Sequence, residues 1–208
     1  AYKKQLSRKE ELYKILRVTK NWFKSQLNNS LGAEAMKYLT SKRNLNNKII
    51  DNFELGLAPN SWNDLFNYLS KVENFPIKLI LASGLAISKD NSDKIYDRFR
   101  NRLIVPIHDM QGRVVAFGGR SLDGQEPKYL NSPESDIFEK GKMLFAFEKA
   151  SSNIRKMDKA IIVEGYFDVI SLHSKGIANS VASLGTALNK YQISQLCRCT
   201  DNKNIILN

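Results

Sequence analysis

The last fifty residues, 159–208, alternate between apolar runs and amphipathic segments, and this alternation restricts the possible folds more than any other feature of the sequence. The runs "KAIIVEG", "ANSVASLG" and "NIILN" are typical of buried strands, whereas "YFDVISLHSKG" and "ALNKYQISQLCRCT" have helical spacing. Strands that alternate with helices in this way form a parallel sheet with right-handed crossovers. The sequence therefore predicts a β-α-β-α-β unit.

An acidic residue, Glu164, directly follows the first of these strands, and Asp168 lies four residues later. Ligands of parallel sheets bind beyond the carboxyl ends of the strands, so we expect Glu164 to face a site. Carboxylates at a strand edge supply oxygen ligands for Mg²⁺ in phosphoryl transfer, which makes metal binding or acid–base chemistry the functional interpretation. For Asp168 a structural interpretation is also open, because an anion in the first turn of a helix is stabilised by the helix dipole.

Residues 1 to about 95 predict a mostly helical subdomain. The segment 8–27 has apolar residues at helical spacing with lysines between them, and "AEAMKYLTSKR", "NNKIIDNF" and "SWNDLFNYLSKV" indicate further helices. We therefore predict an α+β N-terminal subdomain, made of these helices and a later antiparallel hairpin, followed by an α/β subdomain with a parallel sheet.

The hairpin is predicted where the hydrophobic period changes, at two β-rich runs that flank the turn "DMQG". Pro106 lies in the first run, and proline in a sheet favours an edge strand, so we expect that run at an edge. Residues 126–147 are rich in Pro, Ser, Asn and Gly and are predicted to form a long ordered loop. Loops of that length inside a compact domain are usually functional.

The charge of the chain indicates a polyanionic partner. The formal net charge is +11, and residues 1–50 hold 12 Lys and Arg residues against 3 acidic residues. Such an excess is typical of proteins that contact nucleic acid. A solvated helix face is the alternative that composition alone leaves open.

Basic side chains also collect around the hairpin and the loop. Arg98, Arg100 and Arg102 would share one strand face if pairing begins that early, and Arg120 follows two glycines where the backbone can approach a ligand closely. Donors suited to phosphate oxygens follow in the loop: Lys128, Asn131, Ser132, Lys140 and Lys142. Acidic residues lie among them, so surface ion pairs are the alternative interpretation.

Two classes of protein are disfavoured by the sequence. No run of 18 apolar residues predicts a membrane span, and the N-terminal segment lacks the apolar region of a secretory signal, so we expect an intracellular protein. Cys197 and Cys199 are spaced for neither a disulfide framework nor a four-ligand zinc site. We interpret both cysteines as packing residues.

Several motifs, in order and with similar spacing, resemble the RNA polymerase domain of bacterial DNA primase, the DnaG type. They are "RNRLIVPIHDMQGRVVAFGGRSL", "PKYLNSPESDIFEKGKMLFAF" and "IIVEGYFDVISLHSKGI", with "YLTSKRNLNNKIIDNFELGLAPNSW" upstream. The resemblance implies a basic helical lead-in at 1–30, the N-terminal catalytic subdomain at 31–150, and the first half of a Toprim domain at 151–208. It covers nearly the whole chain.

The resemblance implies an enzyme that synthesises short RNA primers from ribonucleoside triphosphates on single-stranded DNA, by nucleotidyl transfer dependent on Mg²⁺ or Mn²⁺. Glu164 matches the Toprim glutamate, a metal-site and acid–base residue, and Asp168 matches the acidic residue that follows it. Arg43, Arg120, Lys128 and Lys140 match the basic positions that handle template and nucleotide. The resemblance implies that Arg120, Lys128 and Lys140 orient phosphates, and that Lys128 and Lys140 are catalytic together with Glu164. Arg98, Arg100 and Asn131 match positions that line the template groove. We also count Lys142 among the residues that bind nucleotide or template.

The sequence also departs from the family pattern. No zinc-ribbon cysteines are present, so zinc is expected only in an N-terminal domain outside this chain, and the sequence ends at "NIILN", just before the expected D-x-D motif. From the resemblance we likewise expect a C-terminal domain that binds the replicative helicase to lie outside this chain. We expect a catalytic-core fragment that binds Mg²⁺ poorly and transfers nucleotides negligibly by itself, because two-metal chemistry needs ligands from both strand edges.

Two alternatives to a primase core remain. The chain could be a non-catalytic module that binds single-stranded DNA, or another Toprim enzyme of topoisomerase or nuclease type. The expected location is the cytoplasm, at the nucleoid and replisome, or an organelle.

Overall fold

The N-terminal segment forms one long helix, α1 (Tyr2–Asn28), in a computed structural model that describes residues 2–88 and 94–208. Its inner face is buried because apolar residues recur every three or four positions, which is the period of an α-helix. That face consists of Leu12, Ile15, Leu16, Phe23 and Leu27. The helix predicted over 8–27 is confirmed and extends beyond both of those bounds.

Shorter elements follow α1, and the helical prediction for this region is confirmed. Ala1 and residues 89–93 of the predicted region lie outside the described residues. The helix α5 and the three short strands were not predicted, because three strand residues show no readable period. The helices are α2 (Ala33–Lys37), α3 (Asn47–Asn52), α4 (Asp64–Asn67) and α5 (Ile77–Ala82), with π-helical turns at Tyr38–Lys42 and Tyr68–Val72; the strands are β1 (Gly56–Ala58), β2 (Ala86–Ser88) and β3 (Ile95–Asp97).

The predicted hairpin is confirmed as β4 (Arg102–His108) and β5 (Val114–Ser121). They belong to an antiparallel sheet of order β1-β4-β5-β6, in which β6 is Tyr129–Asn131. The prediction of one unbroken loop over 126–147 is therefore wrong at β6, whose three residues pair with β5. The sequence could not show this pairing, because the segment carries loop-like composition.

The prediction that Pro106 marks an edge strand is wrong, because β4 is an interior strand between β1 and β5. The proline is tolerated for a local reason. The strand β1 pairs with β4 only from Arg102 to Ile104, so Pro106 has no ladder partner on that side.

The hairpin sheet is covered on both faces, and every residue of β4 is consequently buried. Leu103 and Val105 face one core, which also contains residues of α2, α3 and the C-terminal part of the chain. Ile104 and Phe117 face a second core with the inner face of α1 and with α5. This arrangement explains why β4 is continuously apolar from Leu103 to Ile107 instead of alternating.

The C-terminal part forms the predicted β-α-β-α-β unit, which is confirmed. The strands are parallel, and β7 lies between β8 and β9. A preceding helix, α6 (Phe147–Met157), was not predicted. The elements of the unit are β7 (Ala160–Val163), α7 (Tyr166–Ser174), β8 (Ser180–Ala182), α8 (Lys190–Cys197) and β9 (Ile205–Leu207).

A polar network ties α1 and β4 to α6. The side chains of Lys20 and Glu54 form an ion pair, and His108 Nε2 lies 2.9 Å from Glu54 Oε2. His108 Nδ1 lies 3.6 Å from Glu148 Oε1. The contact with His108, together with Lys20, lowers the pKa of Glu54 to about 2, whereas burial raises the pKa of Glu148.

We expect this network to make stability depend on acid pH. Because the pKa of Glu54 is lower in the folded protein than its usual 4.5, its stabilisation is complete above pH 4.5 and is lost as the pH falls toward 2. The substitution Glu54→Gln should lower the free energy of unfolding at pH 7 by about 1–3 kcal/mol and flatten its decline below pH 4.5. Urea unfolding across this range measures both effects. Glu11→Gln, an exposed change on α1, should alter neither, and an unchanged pH slope in Glu54→Gln would contradict the assignment.

Candidate active site

Glu164 stands at the carboxyl end of β7, where the chain turns into α7. Its side chain is exposed and lines a cavity of about 310 Å³ together with Tyr129, Asn131 and Ser183. The structure thus places Glu164 in the wall of a crevice beyond the strand ends, as the parallel sheet predicted.

Asp168 lies in the first turn of α7 and lines the same cavity. Gly165 leaves room for the Asp168 carboxylate beside the backbone of the turn, because a Cβ atom on residue 165 would lie only 2.8 Å from Asp168 Oδ2. Neither the Glu164 nor the Asp168 carboxylate forms a hydrogen bond or ion pair with any described side chain. Two exposed, unpaired carboxylates on one cavity suit the oxygen preference of a divalent cation.

The carboxylate pair does not by itself complete a metal site. Within residues 2–88 and 94–208, no group of three or more His, Cys, Asp or Glu residues is placed to hold a metal ion. Glu164 and Asp168 would supply two ligands, which leaves positions for water and phosphate oxygens.

Asn131 fastens the wall of the cavity to the hairpin sheet. The Tyr166 hydroxyl donates to Asn131 Oδ1 at 2.6 Å, and Asn131 Nδ2 donates to the Leu184 carbonyl at 3.0 Å. Burial raises the pKa of the Tyr166 hydroxyl, which therefore stays protonated as a donor. The amide of Asn131 is thus engaged within the chain and connects β6 with both α7 and the end of β8.

The glycine pair before Arg120 was expected to let a ligand approach the backbone, and the structure shows a different cause. A Cβ on Gly118 would lie 2.5 Å from Tyr166 Cε2, and one on Gly119 would lie 2.8 Å from Phe99 Cδ1. The space beside each glycine is therefore filled by an aromatic ring of the same chain.

Arg43 and Arg120 meet in what we call the arginine–aromatic cluster: Arg43, Arg120, Tyr38, Tyr129 and Phe167. Arg43 Nε donates to the Tyr38 hydroxyl at 2.8 Å, and its guanidinium carbon lies 5.0 Å from the Phe167 ring centroid. Arg120 donates to the Tyr129 hydroxyl, and its guanidinium carbon lies 5.6 Å from the Tyr38 centroid.

The cluster presents two cations that lack an acidic partner among the described residues. Aromatic faces hold guanidinium groups by cation–π attraction while their remaining N–H donors stay available. Tyr129 belongs to the cluster and also lines the cavity of Glu164. The structure therefore sets anion-binding donors beside the carboxylate pair.

The three lysines of the loop differ in their surroundings. Lys142 Nζ lies 2.6 Å from Glu139 Oε2, which raises the pKa of Lys142, so the ion-pair alternative holds there. Lys128 and Lys140 form no ion pair with a described residue. The 140–142 turn is fixed to the start of α8, because Asn189 Nδ2 donates to the Gly141 carbonyl at 2.8 Å.

The prediction that Arg98, Arg100 and Arg102 share one strand face is wrong. Strand β4 begins only at Arg102, whose side chain is buried and directed at the Gly119 carbonyl. Arg98 is half-buried, its Nε has no hydrogen-bond partner among the described groups, and burial lowers its pKa. Arg100 instead stacks on an aromatic pair, the exposed Trp62 and the partly buried Tyr96.

That pair and Arg100 form a surface that we call the Trp62 platform: Trp62, Tyr96 and Arg100. The Arg100 guanidinium carbon lies 4.6 Å from the Trp62 ring and 5.3 Å from the Tyr96 ring. Trp62 is 67% exposed. Neither aromatic was predicted as functional from the sequence, although an exposed tryptophan beside a cation suits the stacking of unpaired bases.

Asp97 holds the Trp62 platform in place. Its buried carboxylate accepts hydrogen bonds from the Leu65 and Phe66 amides at 2.9 and 2.8 Å, and so caps α4. Its own amide donates to the Trp62 carbonyl at 2.7 Å, and its carbonyl accepts from Arg100. Burial raises the pKa of Asp97 to about 7, against the lowering by the two amide donors.

Above pH 7, where Asp97 is ionised and both of its oxygens accept, we expect Asp97→Asn to lower the free energy of unfolding by about 1–3 kcal/mol, because the amide nitrogen of asparagine cannot accept the second backbone hydrogen bond. Chemical unfolding measures the change. The neighbouring Asp64→Asn, an exposed substitution in the same turn, should stay within about 0.5 kcal/mol of the parent. Equal effects of the two substitutions would contradict the role of Asp97 as the cap.

Comparison with known proteins gives consistent matches. Residues 22–151 match the family model described as the DNA primase catalytic core, N-terminal domain, and residues 158–208 match the Toprim domain. The DNA primase of Synechococcus elongatus is 50% identical over 99% of this chain and 30% of its own length. The DNA primase of Pseudomonas aeruginosa is 40% identical over 90% of this chain and 28% of its own length. The chain thus spans about a third of the length of these relatives.

Solved structures agree with the sequence relatives. A DnaG primase catalytic domain bound to single-stranded DNA superposes with a TM-score of 0.87 at 35% identity, covering 97% of this chain and 62% of that one. A DNA primase domain from Pseudomonas aeruginosa has a TM-score of 0.86 at 38% identity, covering 94% of this chain and 60% of that one.

Proposed function

The chain belongs to the DnaG-type bacterial DNA primase family, whose catalytic-core model matches residues 22–151, and from this membership we propose that the whole protein synthesises short RNA primers on single-stranded DNA. One observation carries the proposal. The unpaired carboxylates of Glu164 and Asp168 share a cavity with Tyr129, which holds Arg120 of the arginine–aromatic cluster. Nucleotidyl transfer requires this juxtaposition of metal ligands and phosphate-binding cations.

Toprim domains and primases generally use divalent metal ions. Glu164 and Asp168 would hold Mg²⁺, or Mn²⁺ in its place, together with ligands from the part of the protein outside this chain. When bound, such an ion neutralises phosphate charge and polarises the reacting oxygens. Any zinc would belong to an N-terminal domain outside this chain.

The basic residues would divide into two groups by location. Arg43, Arg120, Lys128 and Lys140 would orient the phosphates of nucleotide and template near the carboxylates, with Lys142 at the margin because Glu139 already pairs with it. Arg98 and Arg100 would bind a different part of the template strand, at the Trp62 platform, where Trp62 and Tyr96 offer faces for base stacking. Asn131 would act as a positioning residue, since its amide is engaged by Tyr166 and Leu184.

The proposed partners follow from the same assignment. Related primase catalytic domains have been solved with single-stranded DNA and with double-stranded DNA carrying an overhang. For this protein we propose single-stranded DNA, ribonucleoside triphosphates and, through a C-terminal domain outside this chain, the replicative helicase, acting in the cytoplasm at the replisome. Within the described part of the chain, no helix combines the length and apolarity that a membrane crossing needs.

Primer synthesis by the whole protein tests the proposal. Incubation with single-stranded DNA, the four ribonucleoside triphosphates and Mg²⁺ should yield short RNA that depends on both template and metal. Salt-sensitive DNA binding without any synthesis would contradict it and favour a non-catalytic binding module.

A further inference from the structure

A second cavity, of about 380 Å³, is lined by Tyr38 of the arginine–aromatic cluster and by Asn60 and Asn101, which are sequence neighbours of the Trp62 platform. Its volume is in the range of small-ligand sites, about 300–1,000 Å³. It shares no lining residue with the cavity of Glu164. The lining consists of Leu31, Glu34, Ala35, Tyr38, Leu57, Pro59, Asn60, Asn101, Leu122 and Asp123.

The position of this cavity follows from its neighbours in the chain. Asn101 directly follows Arg100, and Asn60 lies two residues before Trp62. The backbone amide of Asn101 donates to the Pro59 carbonyl at 3.0 Å, which holds the segment after Arg100 against the segment before Trp62. Tyr38 of the arginine–aromatic cluster lines the other side. A strand of nucleic acid that contacts both cationic surfaces would therefore pass over the cavity.

The chemistry of the lining suits a nucleobase and not a phosphate. Leu57, Pro59 and the Tyr38 ring provide apolar and aromatic surface for a planar ring. The polar groups are two carboxylates, from Glu34 and Asp123, and the amides of two asparagines. Carboxylates repel a phosphate, whereas they accept hydrogen bonds from the amino groups of bases.

The two carboxylates differ in their availability. Asp123 already accepts from the Gln125 backbone amide at 3.1 Å, the Ser121 hydroxyl at 2.9 Å and the Asn101 side-chain amide at 2.7 Å, which lowers its pKa and fixes its orientation. Glu34 lies in the first turn of α2 and is exposed, and its carboxylate forms no hydrogen bond or ion pair with a described residue. Glu34 is therefore the acceptor that a bound base would meet.

We propose that this cavity binds one base of the single-stranded template and that Glu34 makes it favour bases with an exocyclic amino group over thymine. The inference rests on the proposed function, because it takes the ligand to be template DNA. Cytosine and thymine provide the cleanest comparison, since they have similar size and differ at position 4, where cytosine carries the amino donor and thymine an oxygen acceptor.

The test compares the binding of this chain to 12-nucleotide oligo(dC) and oligo(dT) by fluorescence anisotropy, in the parent and in Glu34→Gln. We expect the parent to favour oligo(dC) by about fivefold, and Glu34→Gln to bring the two affinities within about twofold. The ratio of oligo(dC) to oligo(dT) affinity in the parent is divided by the same ratio in the variant. This division cancels the effect of the different stiffness of the two homopolymers, which is the same for both proteins. Glu11→Gln, which makes the same charge change on the exposed face of α1, should keep the parent ratio.

The outcomes separate this inference from the proposed function. An identical ratio in the parent and Glu34→Gln, or an equal change in Glu11→Gln, would overturn the base cavity while leaving template binding intact. Absence of salt-sensitive binding to either oligonucleotide would overturn the proposed function and the base cavity together.

Discussion

Replacing Glu164 with glutamine in the whole protein is expected to lower the rate of primer synthesis by at least about 100-fold. A neutral amide loses the charge that a divalent ion requires of its ligand, and it cannot exchange a proton as a carboxylate does. Affinity for single-stranded DNA should stay within about twofold, because Glu164 is not one of the basic or aromatic groups proposed to bind the template. The measurement is ribonucleotide incorporation at saturating template with Mg²⁺.

A matched control for this substitution lies in the same domain. Asp201 is exposed, and its carboxylate bonds to no described residue, so Asp201→Asn removes one negative charge without touching the cavity. It should leave primer synthesis unchanged. Normal primer yield from Glu164→Gln would remove the metal-site role from this residue.

Trp62→Ala should weaken the binding of single-stranded DNA to this chain by about 5- to 150-fold, because stacking on an aromatic side chain contributes about 1–3 kcal/mol per base. The dependence of affinity on salt should stay the same, since no charge is lost. Arg100→Ala should weaken binding and also reduce the salt slope by about one. Anisotropy titrations with oligo(dT) at several salt concentrations measure both quantities.

Tyr191→Ala serves as the control for the platform. Tyr191 is a 50% exposed aromatic on α8, outside both cationic surfaces, so its removal should leave affinity unchanged. An equal loss from Tyr191→Ala and Trp62→Ala would show that exposed aromatics contribute without regard to location. Unchanged affinity in Trp62→Ala would remove the platform from the template path.

The sequence predicted the elements that have a strong period and the position of Glu164 that follows from their topology. The β-α-β-α-β unit is confirmed because each of its segments carries a clear hydrophobic pattern. Once the sheet is parallel, the carboxyl end of β7 is a site edge, and Glu164 lies in a cavity wall there. Asp168 could be placed beside it from its spacing in the helix alone.

The parts that sequence reasoning missed depend on tertiary pairing. β6 has only three residues and loop-like composition, and it becomes a strand because β5 offers it a partner. Pro106 is tolerated inside a sheet because β1 is too short to reach it. Neither the pairing of β6 nor the position of Pro106 could be predicted from the local sequence pattern.

The two cationic surfaces were also beyond local reasoning. Arg43 and Arg120 are far apart in sequence, and only the packing of the π-helical turn Tyr38–Lys42, β5 and α7 brings them to the same aromatic rings. Arg100 joins Trp62 because Asp97 fixes the segment before β4 to the start of α4. The resemblance to primases marked these arginines, whereas the aromatic partners became visible only in the fold.

The most direct test of the central claim is the location of bound metal in the whole protein. Crystals soaked with Mn²⁺ should show an anomalous scattering peak within direct coordination distance of the Glu164 carboxylate, in the cavity that also contains Asp168 and Tyr129. A Mn²⁺ ion bound elsewhere, with Glu164 turned out of that cavity, would contradict the assignment of this site to metal-dependent nucleotidyl transfer.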